Sequence, residues 1–390
     1  MRFLFTCIPA FGHLHAMVHY AQALKDQGHD VAFATGAAFA QAVRSAGFHH
    51  FSCGIENASS VEVLTHLPEW PSIQDRFRDA PPGTAQLHAF IEVLAPQMLS
   101  GLSAVVEKWN PHLVVRDPLE FGGYIAAERV EIPHVVVDWA IHIPTQVIAK
   151  DALCLLRRRY GLPEDANLET LDRHLVLSAM PPSWKYDGVP YAERLFRCQL
   201  PPYDNDGQFD DPLPDLIHSG RPVVYATLGT TFNQSPDTFQ SIIEALGAED
   251  VSAIVTLGHS FDPSELGAIP KNVHVANYIP QTSLLPHCDA VIFHAGFNSL
   301  HSALWHGLPM ILIPMGAGDQ VPNAMQAVAM KVGLIAQQPL AVESLRQNIR
   351  SVLTDSQLRC NARKLQAEIK ALPPVSEAVH RLMVLARESA

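Results

Sequence analysis

Short apolar segments alternate with longer helical segments along both halves of this chain, and no other feature restricts its fold as strongly. Strands that are apolar almost throughout are typical of parallel sheets, because helices cover both faces of such a sheet. The alternation therefore predicts an α/β protein built on parallel sheets. The predicted strands cover residues 2–8, 30–35, 112–117, 134–139, 222–228, 251–257, 272–277, 289–294 and 309–314.

The segment between the first two predicted strands has the pattern of an amphipathic helix. Its apolar residues Met17, Tyr20, Ala21 and Leu24 have the spacing that places side chains on one helix face. Gly28 follows them, at a position where glycine commonly ends a helix. This part of the chain is therefore predicted to form a β-α-β unit.

A chain of 390 residues is long for one hydrophobic core, and two domains are the natural expectation. Residues 199–215 are rich in Pro, Asp and Gly and lack periodicity, so we interpret them as the interdomain linker. We expect two Rossmann-like domains, 1–200 and 216–374, with parallel sheets facing each other across a cleft. The amphipathic segment 375–390 is predicted to form a helix that packs back on the first domain.

The composition is that of an ordinary globular protein, and the net charge of −12 disfavours nucleic-acid and anionic-membrane surfaces, which need clustered basic residues. The N-terminus lacks the long apolar region of a signal peptide. The chain has no run of about 18 uninterrupted apolar residues that would span a membrane. Its six cysteines are scattered without a C-x-x-C pair, as in a reducing compartment. We expect a cytoplasmic protein that binds neither nucleic acid nor membrane.

Residues 289–323 carry the strongest signal for a ligand. A predicted buried strand ends at His294, and after Gly296 a helix is predicted to begin near Asn298 and Ser299. Ligands of open α/β sheets bind beyond the carboxyl ends of the strands, and a helix N-terminus at that edge attracts phosphate. An ordinary strand-turn-helix with Asn298 or Ser299 as the N-cap would show the same pattern.

A second glycine turn favours the phosphate interpretation. Gly229 and Thr230 follow the first predicted strand of the same domain and precede another helix. Two such turns at one sheet edge supply donors for a diphosphate. The chain has neither G-x-G-x-x-G after the first strand of either domain nor G-x-x-x-x-G-K-[ST], so dinucleotide and P-loop sites are not expected.

The run YIPQTSLLPHCDAVIFHAGFNSLHSALWHGLPMILIPMGAGDQ, residues 278–320, resembles the donor-binding signature of the nucleotide-sugar-dependent glycosyltransferases of GT-B fold. The similarity is to the branch that contains plant UDP-glycosyltransferases and bacterial antibiotic glycosyltransferases of macrolide and enediyne type. The pattern is long and ordered, so it is far more specific than a single glycine motif. The G-H turn near the N-terminus and the two-domain layout extend the resemblance over essentially the whole chain.

The resemblance assigns roles to the start of this run. Tyr278 stands where the family usually has the tryptophan that stacks on the base, the Ile279 backbone would bond the base edge, and Gln281 completes that motif. Ser302 is a departure, because the family commonly has there a glutamate that bonds the ribose hydroxyls. This difference fits a deoxyribose donor slightly better than a ribose donor.

The same resemblance implies that His294, Asn298 and Ser299 hold the diphosphate. Asp319 and Gln320 would bond the sugar hydroxyls. Their chemistry suits that role, because a carboxylate accepts from two vicinal hydroxyls and an amide both donates and accepts.

Two residues of the first domain match the catalytic pair of the family. Sugar transfer to a hydroxyl requires a general base, and His13, in the turn that runs from Pro9 to Gly12, matches the catalytic histidine. Asp117 ends the third predicted strand and matches the aspartate that orients this histidine. Ala16 replaces a proline that the family often has. A plain strand-end aspartate would also fit at position 117.

His15 and His19 lie four residues apart and would share a helix face, which raises a metal site as an alternative. A zinc site needs three or four protein ligands, and no matching His-x-x-x-Glu or Cys cluster supplies the others. We therefore expect neither a metal nor another cofactor, and the nucleotide-sugar is a co-substrate.

The acceptor region carries the weakest signal. Residues 55–100 and 140–200 contain large apolar side chains that suit an apolar acceptor pocket, and an ordinary core would contain them equally. They are Trp70, Phe77, Phe90, Met98, Trp139, Ile143, Trp184 and Tyr186.

Together these features predict an inverting glycosyltransferase that moves a sugar from a dTDP- or UDP-activated donor to a lipophilic small-molecule acceptor. His13 would take the acceptor proton and Asp117 would hold His13. A nucleotide-sugar 2-epimerase of the same fold and a non-catalytic partner of a glycosyltransferase are the alternatives. The expected partners are the nucleoside-diphosphate sugar and the acceptor, and a homodimer is compatible with the sequence.

Overall fold

The fold was analysed in a computed structural model of the chain. The residues that this structure describes are 1–55, 64, 67–81, 83–140, 145–185, 194–204, 215–229, 235–258, 261–316 and 318–388. Residues 205–214 of the predicted linker therefore lie outside the described residues.

The chain divides into two compact units. The first unit comprises Met1–Ala179, Tyr186–Leu200 and Leu372–Ala390, and the second comprises Met180–Lys185 and Pro201–Ala371. Residues 180–185 thus belong to the second unit, although the prediction 1–200 placed them in the first. Residues 372–374 belong to the first unit and not to the predicted domain 216–374.

The first unit contains a seven-stranded parallel sheet. Its strands are β1 (Arg2–Thr6), β2 (Asp30–Thr35), β3 (His49–Ser52), β4 (Leu113–Arg116), β5 (His134–Val137), β6 (Leu175–Ser178) and β7 (Leu195–Arg197). They are ordered β3-β2-β1-β4-β5-β6-β7, so the direction of winding reverses between β1 and β4. Ligands of such sheets bind at this reversal, beyond the carboxyl ends of the strands. Strands β3, β6 and β7 were not predicted.

The second unit contains a six-stranded parallel sheet of the same kind. Its strands are β8 (Val223–Thr227), β9 (Ser252–Thr256), β10 (Val273–Ala276), β11 (Ala290–Phe293), β12 (Met310–Leu312) and β13 (Gly333–Ile335). The order β10-β9-β8-β11-β12-β13 places the reversal between β8 and β11. All of these strands except β13 were predicted.

Helices connect the strands of both sheets. The helix α1 buries the predicted apolar face, Met17, Tyr20, Ala21 and Leu24. A π-helical segment, Phe90–Leu94, joins α4 to α5. The helices are α1 (Phe11–Asp26), α2 (Ala40–Ser45), α3 (Trp70–Arg76), α4 (Thr84–Ala89), α5 (Ala95–Trp109), α6 (Phe121–Arg129), α7 (Thr145–Ile148), α8 (Lys150–Arg159), α9 (Pro236–Gly247), α10 (Gln281–Leu284), α11 (Phe297–His306), α12 (Gln320–Ala329), α13 (Val342–Thr354), α14 (Ser356–Lys370) and α15 (Val375–Glu388).

The C-terminal helix α15 belongs to the first unit and packs against α1. The Gln199 side chain donates a hydrogen bond to the Leu372 carbonyl at 2.7 Å, and the Gln199 backbone N–H donates to the Pro373 carbonyl, also at 2.7 Å. These bonds fix the chain directly before α15 to the end of the first unit.

The helical stretch Thr84–Trp109 is the described segment that is long and apolar enough to span a membrane, with a mean hydropathy of 1.6. This stretch is not an uninterrupted apolar run, because polar residues such as Gln86, His88, Glu92 and Gln97 divide it. In the structure 44% of its most apolar window is buried, and Leu99 and Leu102 lie in the hydrophobic core of the first unit. A core helix of a soluble protein has these same properties.

The large apolar residues that were considered for an acceptor pocket are mostly core residues. Trp70, Phe90 and Met98 belong to the hydrophobic cluster of the first unit, and Phe77 packs against it. Trp184 is buried and belongs to the second unit. Ile143 and Tyr186 lie outside the described residues.

Candidate active site

His13 and Asp117 lie where the strand order of the first sheet reverses. The helix α1 begins at Phe11, so His13 is in its first turn and not in a loop. Asp117 directly follows β4. The His13 Nδ1 atom is 3.1 Å from Asp117 Oδ2. The structure thus brings together the two residues that were predicted to form the catalytic pair.

The Asp117 carboxylate is fully buried, and backbone groups hold it in place. Its Oδ2 accepts a hydrogen bond from the Ile8 N–H at 2.7 Å, and its Oδ1 accepts one from the Leu119 N–H at 2.8 Å. Hydrogen bonds to a charged group are strong and fix its orientation. A carboxylate oriented in this way accepts the Nδ1–H of a neutral imidazole and leaves the Nε2 lone pair available for a proton.

The environment of the His13 ring leaves its second nitrogen available. The Trp139 ring contacts the His13 ring edge to face, with 4.3 Å between their centroids. Within the described ranges, Nε2 of His13 has no hydrogen-bond partner, and 16% of the side chain is exposed. The ring is therefore held on two sides while Nε2 can receive a proton from a bound molecule.

Sequence analysis missed Glu120, a second buried carboxyl group close to the pair. Its side chain caps α6 by accepting the Gly123 N–H at 2.8 and 3.0 Å. Burial and the negative charge of Asp117 raise the pKa of Glu120 to about 7, against the lowering effect of its hydrogen bonds. The available signal was an acidic residue directly before the helix that starts at Phe121, which is a common N-cap position.

His15 and His19 were considered as a pair of metal ligands. Both side chains are half-buried on α1, and the His15 ring packs on Phe11 at 5.5 Å between centroids. Across the described part of the chain, no group of three or more His, Cys, Asp and Glu side chains could hold a metal ion. Independence from metal stays a prediction.

His294 lies between two glycines at the carboxyl edge of the second sheet. It follows β11, and a Cβ atom added to Gly229, which lies just after β8, would be 2.6 Å from His294 Cε1. A Cβ atom added to Gly296 would be 2.4 Å from His294 Nε2. Real Cβ atoms essentially never come this close, so the ring could not keep its present position if either glycine carried a side chain. The predicted site residue Thr230 lies outside the described residues.

Burial lowers the pKa of His294 to about 4, so the ring is neutral near pH 7. A neutral imidazole has one N–H to donate and one nitrogen that accepts. The His294 Nδ1 atom is buried, and no described residue bonds to it. The ring therefore adds polarity without positive charge to this edge of the sheet.

Asn298 and Ser299 lie in the first turn of α11, where backbone N–H groups lack acceptors within the helix. The Ser299 hydroxyl accepts a hydrogen bond from Gln281 Nε2 at 3.2 Å. Gln281 begins α10, so this bond joins the segment predicted for the base to the segment predicted for the diphosphate.

Tyr278 and Ile279 lie just after β10, on the same carboxyl edge. Tyr278 is half-buried, while the Ile279 side chain is buried in the unit. Ser302 is also buried, within α11. This position thus offers neither a carboxylate nor much exposed surface to a ribose.

Asp319 and Gln320 lie at the start of α12, and both make contacts within the unit. Asp319 Oδ2 accepts the Phe297 N–H at 3.3 Å, at the N-terminus of α11. Gln320 is almost fully buried, and its Oε1 accepts the Met315 N–H at 2.6 Å. The carbonyl end of Gln320 therefore orders the preceding turn.

Two family models match this chain in order. The N-terminal domain of the erythromycin biosynthesis protein CIII-like family matches residues 22–200, and the C-terminal domain of the same family matches residues 240–385. Together the two models span most of the chain.

Characterised relatives match over nearly their whole length. Tylactone mycaminosyltransferase of Streptomyces fradiae is 27% identical over 425 residues, which cover 98% of this chain and 92% of the relative. The 4'-demethylrebeccamycin synthase of Lentzea aerocolonigenes is 27% identical, with 97% of this chain and 98% of the relative covered.

Solved glycosyltransferase structures share the fold. The glycosyltransferase VinC in complex with dTDP is 26% identical and superposes with a TM-score of 0.77 over 100% of both chains. The calicheamicin glycosyltransferase CalG4 is 24% identical, with a TM-score of 0.80 over 100% of this chain and 99% of that one. The predicted GT-B fold of two parallel-sheet domains is confirmed. By its domain models, its relatives and its fold, the chain belongs to the EryCIII-like antibiotic glycosyltransferases.

Proposed function

We propose that this chain is an inverting glycosyltransferase that transfers a sugar from a dTDP- or UDP-activated donor to a hydroxyl group of a lipophilic small molecule. The observation that carries the proposal is the His13–Asp117 pair, with its 3.1 Å contact and its fully buried carboxylate. A histidine oriented through Nδ1 by a fixed carboxylate is suited to remove a proton through Nε2.

In the proposed reaction the acceptor hydroxyl gives its proton to His13 Nε2 while its oxygen attacks the anomeric carbon of the sugar. The bond between that carbon and the diphosphate oxygen breaks, and the nucleoside diphosphate leaves from the opposite face. A single in-line displacement inverts the anomeric configuration. Asp117 stabilises the imidazolium that forms on His13.

The second unit supplies the donor site in this proposal. The free N–H groups in the first turn of α11 and the side chains of His294 and Ser299 stabilise the departing diphosphate. Asp319 and Gln320 bond the sugar hydroxyls, and Tyr278 packs on the base. These groups take over the charge stabilisation that a metal ion provides in other transferases, so we propose that none is required.

The comparisons support the choice of donor and acceptor class. The solved structure of VinC contains dTDP. The names of two relatives describe a mycaminosyltransferase acting on tylactone and a synthase of 4'-demethylrebeccamycin, and both compounds are small molecules. The buried Ser302 supports a donor that needs no ribose contact at that position.

The test is to incubate dTDP- and UDP-sugars with a panel of polyketide and flavonoid acceptors and to detect nucleoside diphosphate and glycosylated product by mass spectrometry. The release of nucleoside diphosphate should require an acceptor. His13→Ala should lose transfer by about 10²- to 10⁴-fold while its calorimetric affinity for nucleoside diphosphate stays that of the parent. His49→Ala, an exposed histidine of β3, is the matched control.

Two results would contradict the proposal. Conversion of the donor sugar without any acceptor would identify an epimerase. An equal loss of nucleotide affinity and transfer rate in His13→Ala would show that this histidine acts on the donor and not as the base.

A further inference from the structure

The turn between β11 and α11 contains a residue in an unfavourable backbone conformation. Ala295 has a φ of +68°, in the left-handed region that residues with a side chain rarely adopt. It is fully buried and lies between His294 and Gly296. Its conformation therefore sets both the direction of the His294 ring and the entry of the chain into α11.

One buried side chain holds this turn. Asn323 on α12 is fully buried, and its Nδ2 donates a hydrogen bond to the Ala295 carbonyl at 3.0 Å. The same Nδ2 is 3.4 Å from Asp319 Oδ2, which accepts the Phe297 N–H. A single amide group thus contacts the strained turn and the carboxylate at the N-terminus of α11.

We infer that Asn323 is a positioning residue of the donor site, which holds Ala295 in its left-handed conformation and fixes Asp319 beside it. Its hydrogen bond to the Ala295 carbonyl orients His294 and the N-terminus of α11 toward the diphosphate. Its contact with Asp319 orients the carboxylate that is predicted to bond the sugar. The inference rests on the proposed function, because it takes this turn as the diphosphate site.

The direction of these contacts argues against a role in packing alone. A buried amide is unfavourable unless it is hydrogen-bonded, and an apolar side chain of similar size would fill the same space. The Asn323 NH₂ group points at two acceptors: the Asp319 carboxylate, which belongs to the predicted donor site, and the Ala295 carbonyl, which lies between the predicted residues His294 and Gly296. The spacing of Asp319 and Asn323 places both side chains on one face of α12.

The test compares the affinity of the parent and of Asn323→Ala for free dTDP and free UDP by calorimetry. The variant should bind the preferred nucleotide at least roughly tenfold more weakly, because the turn loses its donor. Asn361→Ala is the matched control: Asn361 Nδ2 donates to the Lys331 carbonyl at 3.1 Å in the same unit, and its loss should change the affinity less than about twofold. Thermal unfolding of each variant reports the folded fraction.

A second substitution distinguishes positioning from stability. Glycine adopts positive φ without a steric penalty, so Ala295→Gly in the Asn323→Ala background should restore affinity at least about threefold. Because glycine at this φ can also stabilise the fold, affinities are compared per folded protein, and on that basis a variant whose only defect is a less stable fold would bind like the parent. If Asn323→Ala does not fold, Asn323→Leu keeps the volume and removes the donor.

The outcomes separate the inference from the proposed function. Failure of the parent to bind dTDP or UDP would overturn both. Parent-like affinity in folded Asn323→Ala or Asn323→Leu would overturn only the role of Asn323. If Asn323→Ala loses nucleotide affinity and Ala295→Gly does not restore it, Asn323 does not act through the conformation of the turn.

Discussion

Asp117→Asn separates the two effects of the buried carboxylate, which orients the His13 ring and balances the charge of the imidazolium. Asp117 Oδ2 faces both the Ile8 N–H and His13, and Oδ1 faces the Leu119 N–H. Asparagine has one oxygen, so its NH₂ group must face one of the two backbone N–H groups. The Ile8 bond is fully buried and the Leu119 bond only partly, so the oxygen should stay on the Ile8 side.

In that orientation His13 Nδ1–H still finds an acceptor, and Nε2 keeps its lone pair. Only the charge is lost. At 3.1 Å the attraction between imidazolium and carboxylate is about 5 kcal/mol for an effective dielectric constant near 20. The neutral amide oxygen of asparagine retains part of this attraction, so the transition state should lose about 2–3 kcal/mol of stabilisation. This loss corresponds to a roughly 30- to 150-fold decrease in rate. The opposite orientation would impose the wrong tautomer and cost about 10⁴-fold.

The assay is single-turnover transfer with saturating acceptor, together with calorimetry of nucleoside diphosphate and denaturant unfolding. Asp117→Asn should keep the nucleotide affinity of the parent and lose about 1–3 kcal/mol of unfolding free energy, because one backbone N–H loses its acceptor. Asp75→Asn, an exposed aspartate paired with Arg78, is the matched control. A rate for Asp117→Asn within about threefold of the parent would refute the imidazolium mechanism, because this change is far below the expected loss.

Further predictions concern stability, donor recognition and metal. The pKa of Glu120 is raised to about 7 from 4.5, so the folded state binds this proton more tightly than the unfolded state. The resulting stabilisation is complete below the pKa of the unfolded state and is lost as the pH rises through about 7. The unfolding free energy should therefore fall between about pH 4 and pH 8, and Glu120→Gln should make this fall smaller by about 3 kcal/mol. An unchanged pH profile would contradict this assignment. Gln320→Ala should weaken discrimination among donor sugars by about 1–3 kcal/mol and leave free nucleoside diphosphate affinity unchanged. His294→Ala should instead weaken the affinity for free nucleoside diphosphate. If calorimetry showed that Gln320→Ala weakens this affinity and His294→Ala does not, the donor would bind in the opposite orientation. Transfer should survive EDTA, and a loss restored by Mg²⁺ or Mn²⁺ would show that the phosphate site needs a metal.

Most strands that could be predicted from the sequence are buried on both faces; β10, an edge strand that is mostly half-buried, is an exception. Four strands were not predicted, and three of them, β3, β7 and β13, lie at sheet edges. An edge strand pairs on one side only and is partly exposed, so it needs no continuous apolar run. His49–Ser52 illustrates this, since its side chains are exposed or half-buried. The fourth, β6, is apolar but only four residues long, and it lies within 140–200, a segment that was considered for the acceptor pocket.

Several candidate site residues that were singled out from the sequence follow strands at the reversal points. His13, Asp117, Gly229 and His294 all do so. Asn323 could not be predicted in this way, because it acts on a backbone carbonyl of another element, and sequence spacing carries no record of that contact. The sequence likewise cannot predict which of the two oxygens of a carboxylate accepts a hydrogen bond from a given backbone N–H.

The imidazole of His294 and the two glycines against it form a packing unit in which the effect of one substitution depends on the other two residues. A methyl group at Gly229 or at Gly296 overlaps the ring, and Gly229 also has a φ of +79° that only glycine adopts readily. A smaller residue at position 294 would make room for such a methyl group but would remove the ring itself. Substitutions at these positions should therefore be strongly non-additive, because residues in direct contact share their effects. A side chain at Gly296 should therefore do less harm when position 294 carries a smaller residue than when it carries the imidazole.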